Sequence, residues 1–138
     1  MRVLSALSLV LVLMTAPAMA QEADMPWQAT VSGQIDAMRA GNSAAALELA
    51  GAGFKANYTD PDRFLADIER AGYAPIASAR SYVLGNFREI GPDRVVQAVT
   101  FTGTDQSIHE AVYDLVNEPD TGWRVRSVVM RKRAAIAI

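Results

Sequence analysis

The chain has 138 residues and a formal net charge of −2, with no cysteine and one histidine. These counts exclude a disulfide framework, a thiolate metal site, a cysteine nucleophile and a histidine-rich metal centre, and no motif points to a cofactor, so we expect none. Mild acidity also argues against nucleic acid as a partner, because proteins that bind it normally concentrate basic residues on one surface.

The first twenty residues, MRVLSALSLVLVLMTAPAMA, have the layout of a secretory signal peptide. Arg2 precedes an apolar run, and the small residues Ala18 and Ala20 occupy the two positions that a signal peptidase reads. The run is shorter than the roughly 20 residues that a membrane-spanning helix needs. We therefore predict cleavage after Ala20, a periplasmic or secreted location, a single mature domain over residues 21–138 and no membrane span after cleavage.

Helix signals dominate the first half of the mature chain. Pro26 suits the first turn of a helix, which we expect to run to Gly41. A short alanine-rich helix follows, to about Ala50, and Phe54 and Tyr58 share one further turn. The apolar stripe of the first helix consists of residues spaced by four, four and three: Trp27, Val31, Ile35 and Met38.

The segment TDPDRFLADIERAGY carries the clearest helix signals. Asp60 is a good N-cap and Pro61 suits the first helical position, while Gly72 supplies the left-handed residue that ends the helix. Because Pro75 disfavours helical backbone in the residue before it, we expect residues 73–76 to leave the helix in an extended conformation.

From Ser81 onward, apolar residues recur at every second position, which is typical of β-strands. The turn compositions GPD, GTD and PDTG separate the segments by short breaks, so we expect hairpins. The predicted strands are residues 82–89, 94–102, 107–118 and 123–131. Helices followed by strands indicate an α+β domain, in which three N-terminal helices pack on one face of a four-stranded antiparallel sheet.

Three stretches, DPDRFLADIERAGYAPI, VVQAV and AVYDLV…GWRVRSVVM, resemble a bacterial family of unknown function, domain-of-unknown-function family 4864. The order of elements, with a long final hairpin that closes on GWRV, is similar to the nuclear-transport-factor-2-like (cystatin-like or SnoaL-like) fold. The resemblance covers about residues 27–130. It implies a curved sheet wrapped around helices, a cystatin-like roll, in an exported bacterial protein. It implies no reaction, because isomerases, cyclases, dehydratases and pure association domains share this fold.

The two faces of the last hairpin depend on its turn. If PDTG forms a four-residue loop, Glu118 pairs with Trp123. Asp114 then lies beside Ser127 on the face that the helices cover. Burial there would raise the pKa of the carboxyl and would suit it as a general base or a protonated donor.

If a bulge shifts the strand pairing by one residue, the side chains of this hairpin that pointed to one face of the sheet point to the other. Asp114 and Glu110 then face Arg124 and Arg126 on the outside as ordinary cross-strand ion pairs. We prefer this arrangement, because it segregates charge better and buries Tyr113. The residues that it places inside are His109, Ala111, Tyr113, Leu115, Trp123 and Val125.

Several side chains are candidates to line a ligand pocket, although none is assigned a catalytic role. Gln97 interrupts an apolar strand, so its amide either ties the sheet to a helix or faces a wet pocket. A lone histidine near a strand start, such as His109, is more often structural. The pocket candidates are Tyr73, Gln97, Tyr113, Asp114 and Trp123.

Three functions remain open from the sequence. We favour a non-enzymatic module that binds a small apolar ligand or a protein partner. One alternative is an isomerase-like or dehydratase-like enzyme that uses Asp114 or His109 in a cavity, and the other is an association domain that forms a homodimer through its exposed sheet. We expect the basic run at residues 131–133 to begin a solvated tail rather than a lipid contact.

Overall fold

The computed structural model describes residues 25–133, so the predicted signal peptide lies outside the described residues. Helices occupy the first half and strands the second, as the sequence predicts. In the described part of the chain, no helix has both the length and the apolar character that crossing a bilayer requires. The helical elements are α1 (Pro26–Arg39), α2 (Ser43–Glu48), α3 (Ala52–Asn57), α4 (Pro61–Ile68), a π-helical turn (Glu69–Tyr73) and α5 (Ala74–Ser78).

The helix starts follow the predicted capping signals. The Asn42 side chain accepts a hydrogen bond from the Ala45 amide at the start of α2, and Asp60 accepts one from the Asp62 amide at the start of α4. Each cap satisfies a backbone N–H that has no partner within its own helix.

Two helix predictions are wrong. The described chain has five α-helices rather than three, because the turn around Phe54 forms α3 and because residues 73–76 are helical rather than extended. Gly72, at φ 108°, ends the preceding helical segment. Pro75 then lies in the first turn of α5, where its missing N–H costs no hydrogen bond, so the chain resumes a helix at once.

The four predicted strands are confirmed to within two residues at each end: β1 (Ser81–Gly91), β2 (Arg94–Thr102), β3 (Ile108–Glu118) and β4 (Gly122–Lys132). They form one antiparallel sheet in the order β1-β2-β3-β4. The register shifts twice in β1, near Gly85 and again between Glu89 and Gly91, and once in β4, at Arg126. Such bulges bend strands and increase their twist.

The helices cover one face of this sheet, and the core lies between the two layers. Alternate residues of β2 are buried: Val95, Gln97, Val99 and Phe101. Opposite them lie buried helical side chains, among them Trp27, Val31, Ile35, Phe64 and Ile76. A short parallel bridge joins the loop after α2 to the edge of β4, where the Gly51 amide donates to the Val125 carbonyl over 2.8 Å. The helical layer is therefore fixed to the sheet by backbone hydrogen bonds as well as by apolar packing.

Candidate functional site

The last hairpin has the second of the two predicted arrangements. Its loop is one residue shorter than the four-residue loop, because Glu118 pairs with Gly122, whose φ of 85° closes the turn. The bulge at Arg126 then shifts the register by one, so that Asp114 pairs with Ser127. The pairing expected from the first arrangement therefore occurs, but on the sheet face that carries no helices.

Asp114 consequently does not lie in a covered cavity. The hypothesis that it acts there as a general base is therefore wrong. Its carboxylate accepts hydrogen bonds from Arg94 at 2.9 Å and from Arg126 at 3.1 Å. The expected pairing with Arg124 is wrong as well, because the nearest carboxylate to that guanidinium is Glu48, 3.8 Å away. Pairs of this kind on an exposed face are worth at most about 1 kcal/mol each.

Gln97 is fully buried and joins the sheet to α1. Its carbonyl oxygen accepts hydrogen bonds from the Trp27 indole at 3.1 Å and from the Gln28 amide at 3.2 Å. Its amide nitrogen donates to the Gly85 and Ala98 carbonyls, at 2.8 and 2.9 Å. Of the two roles that the sequence left open for this amide, the structure shows the tie between sheet and helix.

Tyr113 and Trp123 are also part of the packed interior rather than of an open pocket. The Tyr113 hydroxyl is buried without a hydrogen-bond partner among the described residues, and this burial raises its pKa far above the ordinary value. The Trp123 ring packs edge-on against Trp27 at 5.7 Å. Neither side chain lines the cleft described next.

A cleft opens between the helical layer and β4, with a volume of about 290 Å³. Five helical segments and one strand contribute to it: α1, α3, α4, the π-helical turn, α5 and β4. Most of the side chains around it are apolar: Met38, Phe54, Ile68, Ala71, Ile76 and Val128. Its size lies at the lower end of the range found for small-molecule sites.

A few polar side chains interrupt this apolar wall, namely Gln34, Tyr58, Asp67 and Tyr73, and Ser127 of the edge strand β4 borders it. The Tyr58 hydroxyl donates to Asp67 over 2.9 Å, and this hydrogen bond raises the pKa of Tyr58. Arg70 donates to the other oxygen of the same carboxylate over 2.5 Å. The Tyr73 hydroxyl donates to the Val128 carbonyl over 2.6 Å and so connects the π-helical turn to β4. An apolar cleft with a few fixed polar groups can bind and orient a small ligand.

The structure thus brings one of the five predicted pocket residues, Tyr73, to the cleft and leaves Gln97, Tyr113, Asp114 and Trp123 outside its lining. The sequence analysis missed Asp67. A signal for it was available, because Asp67 follows Phe64 by three positions and precedes Ile68, which puts a carboxylate beside the apolar stripe of α4.

His109 lines a separate cavity of about 280 Å³ near the β2–β3 loop, together with Asp105 and Ser107. The Ser107 hydroxyl donates to Asp105 over 2.5 Å, and it makes no hydrogen bond to the imidazole. These three residues therefore do not form the hydroxyl–imidazole pair by which a histidine activates a serine nucleophile. Within residues 25–133, no group of three or more acidic or histidine side chains is placed to hold a metal ion.

The outer face of the sheet, which carries no helices, exposes three valines: Val83 at 67%, Val112 at 47% and Val129 at 70%. The strand register and the ion pairs place six arginines and three carboxylates on the same face: Arg88, Arg94, Arg124, Arg126, Arg131, Arg133, Glu110, Asp114 and Glu118. Six positive and three negative side chains give the outer face a net charge of +3.

Helices on one face of a four-stranded antiparallel meander, with a cleft at the helix–sheet boundary, define an α+β protein of the nuclear-transport-factor-2-like fold. A crystal structure of a ketosteroid isomerase-like protein from Erwinia carotovora atroseptica SCRI1043 is similar, with a TM-score of 0.52 and 11% sequence identity over 78% of this chain and 94% of that chain. At this identity the likeness shows the fold alone.

The chain belongs to the family described as domain of unknown function (DUF4864), whose model matches residues 20–138. This confirms the resemblance found in the sequence. The comparison with curated proteins finds no match.

Proposed function

We propose that this protein binds a small, mainly apolar ligand in the cleft between the helical layer and β4, without converting it chemically. The observation that carries the proposal is the composition of the cleft, in which six apolar side chains surround a few hydrogen-bonded polar groups. Burial of an apolar ligand there would gain about 25 cal/mol for each Å² removed from water. The predicted signal peptide supports the further proposal that the protein acts in the periplasm or outside the cell.

The polar groups of the cleft favour binding over catalysis. The Asp67 carboxylate already accepts hydrogen bonds from Tyr58 and Arg70, and the Tyr73 hydroxyl is committed to a backbone carbonyl. These hydrogen bonds fix the position of the Asp67 carboxylate, and the described lining of the cleft offers no second carboxylate or imidazole to complete an acid–base pair with it.

The neutral fluorescent probe N-phenyl-1-naphthylamine tests this proposal, with 1-octanol as a competitor. We expect the probe to bind the purified protein and 1-octanol to displace it. Ala71→Phe should fill part of the cleft and weaken binding by about tenfold, or 1.4 kcal/mol. Ala66→Phe is the matched control, because Ala66 is an exposed residue of α4 that does not line the cleft. Equal affinity in both variants, or no binding to the unmodified protein, would contradict the proposal.

Self-association through the outer face is a second candidate function, and the three exposed valines favour it. In a two-fold dimer the same surface meets itself, so the valines of one copy would cover those of the other. Each face carries both signs of charge, which allows its carboxylates to approach arginines of the second copy. The net charge of +3 on each face opposes this contact, so association should strengthen as salt screens the repulsion.

A further inference from the structure

A second cavity, of about 360 Å³, adjoins the cleft and differs from it in chemistry. Tyr58 and Asp67 belong to the lining of both cavities. The remaining side chains around the second cavity are all polar: Asn57, Thr59, Asp60 and Arg63. An apolar space and a polar space therefore meet at the Tyr58–Asp67 hydrogen bond.

The junction between the two cavities is held in place from several directions. Tyr58 follows α3 directly, and its ring packs edge-on against Phe64 of α4 at 5.4 Å. Asp67 lies on α4 and is bound by Tyr58 through one carboxylate oxygen and by Arg70 through the other. Each carboxylate oxygen offers more than one lone-pair site, so Asp67 can still accept a hydrogen bond from a ligand.

The hydrogen-bonding groups around the polar cavity select the kind of group that fits there. Two carboxylates, Asp60 and Asp67, and one guanidinium, Arg63, line it. Arg70 pairs with Asp67 from outside the lining, so two guanidiniums balance the two carboxylates, and hydrogen-bonding capacity rather than net charge selects the end group. A hydroxyl or an ammonium group could donate to Asp67, whereas a carboxylate end group has no hydrogen to donate and would place its oxygens against those of Asp67.

We propose that the cleft and the polar cavity form one site for an amphipathic ligand, whose apolar body fills the cleft and whose end group donates a hydrogen bond to Asp67. This inference rests on the proposed function, since it requires the cleft to bind ligands. It adds the class of ligand: a small apolar molecule that ends in a hydroxyl or an ammonium group, not in a carboxylate.

Three eight-carbon probes that differ only in their end group test the inference by displacement of N-phenyl-1-naphthylamine: 1-octanol, octylammonium and octanoate. We expect octylammonium and 1-octanol to bind the unmodified protein at least about tenfold more tightly than octanoate. Asp67→Asn keeps the shape of the side chain and removes its charge, so it should reduce the preference for octylammonium over octanoate by about tenfold.

Two further variants separate a local effect from a change in overall charge or stability. Asp93→Asn makes the same charge change in the exposed β1–β2 turn, away from both cavities, and should leave the preference unchanged. Arg63→Gln removes the positive side chain from the polar cavity and should increase the preference for octylammonium. Because Arg63 is exposed, this variant should fold normally even if Asp67→Asn does not.

The outcomes distinguish this inference from the function on which it rests. If none of the three probes displaces N-phenyl-1-naphthylamine and that compound does not bind, the proposed function fails. If all three bind equally well, or octanoate binds most tightly, the cleft remains a binding site and the amphipathic ligand class is wrong. Opposite shifts for Asp67→Asn and Arg63→Gln support the inference, and shifts in the same direction contradict it.

Discussion

The Trp27 indole nitrogen donates a hydrogen bond over 3.1 Å to the side-chain oxygen of Gln97, 70 positions further along the chain. This contact joins the first turn of α1 to the centre of β2, where both side chains are buried. The amide nitrogen of Gln97 meanwhile donates to Gly85 and Ala98 and so stabilises the bulge of β1. A single polar side chain thus links the helical layer to the bend of the sheet.

Replacing Gln97 should therefore destabilise the fold strongly. Gln97→Leu leaves the Trp27 N–H and the Gly85 carbonyl without their partner, and we expect the free energy of unfolding to fall by about 3 kcal/mol. Gln28→Leu, which removes one partly buried hydrogen bond, should cost less than about 1 kcal/mol. Urea denaturation measures both values, and equal losses for the two variants would argue against this role for Gln97.

Gly122 closes the β3–β4 turn, where its positive φ determines the register of the last hairpin. Gly122→Ala should cost about 1 kcal/mol, because alanine is strained at φ 85° although the space around the glycine is open. Gly53→Ala should instead be neutral or stabilising by up to about 1 kcal/mol, because Gly53 lies inside α3 with ordinary φ. Thermal unfolding of the two variants compares them directly, and a stabilised Gly122→Ala would rule out the observed turn.

Asp114 lies on the outer face, away from the cleft, so its charge should matter little for binding. We expect Asp114→Asn to lower the free energy of unfolding by about 1 kcal/mol, through weakened pairs with Arg94 and Arg126. The affinity for N-phenyl-1-naphthylamine should not change. A tenfold loss of affinity in a variant that folds normally would mean that Asp114 acts in the site after all.

Self-association through the outer face should depend on the exposed valines and on salt. Sedimentation velocity at about 0.05 M and 0.5 M salt should show more dimer at the higher concentration, because the repulsion between two faces of charge +3 is screened. Val129→Lys should abolish the dimer, whereas Val129→Thr, which keeps the branched shape, should weaken it less. A dimer that is insensitive to both variants would place the interface elsewhere.

Local signals were sufficient for much of the fold. Asp60 and Pro61 mark the start of α4, and the alternation after Ser81 gives the four strands, because caps and side-chain periodicity act over a few neighbouring residues. The helix at Pro75 was missed for an equally local reason. Proline opposes helix in the residue before it, yet it also suits a first helical turn, and the second effect prevails after the break at Gly72.

The site was harder to predict, because its geometry depends on how separate helices and strands are placed relative to one another. The face of Asp114 is decided by two single-residue events, a short turn at Gly122 and a bulge at Arg126, and alternation along the strands fits either face. Tyr58 and Asp67 meet only because the chain turns between α3 and α4. No spacing rule within one helix or strand predicts such a pair.

Backbone NMR during titration with N-phenyl-1-naphthylamine tests the central claim, that the cleft beside β4 is the binding site, most directly. The proposal predicts that the amide signals of Ile68, Ala71, Tyr73 and Val128 shift in a saturable way, while those of Val83 and Val112 on the outer face stay in place. Saturable shifts confined to the outer face, or no shifts at all, would contradict it.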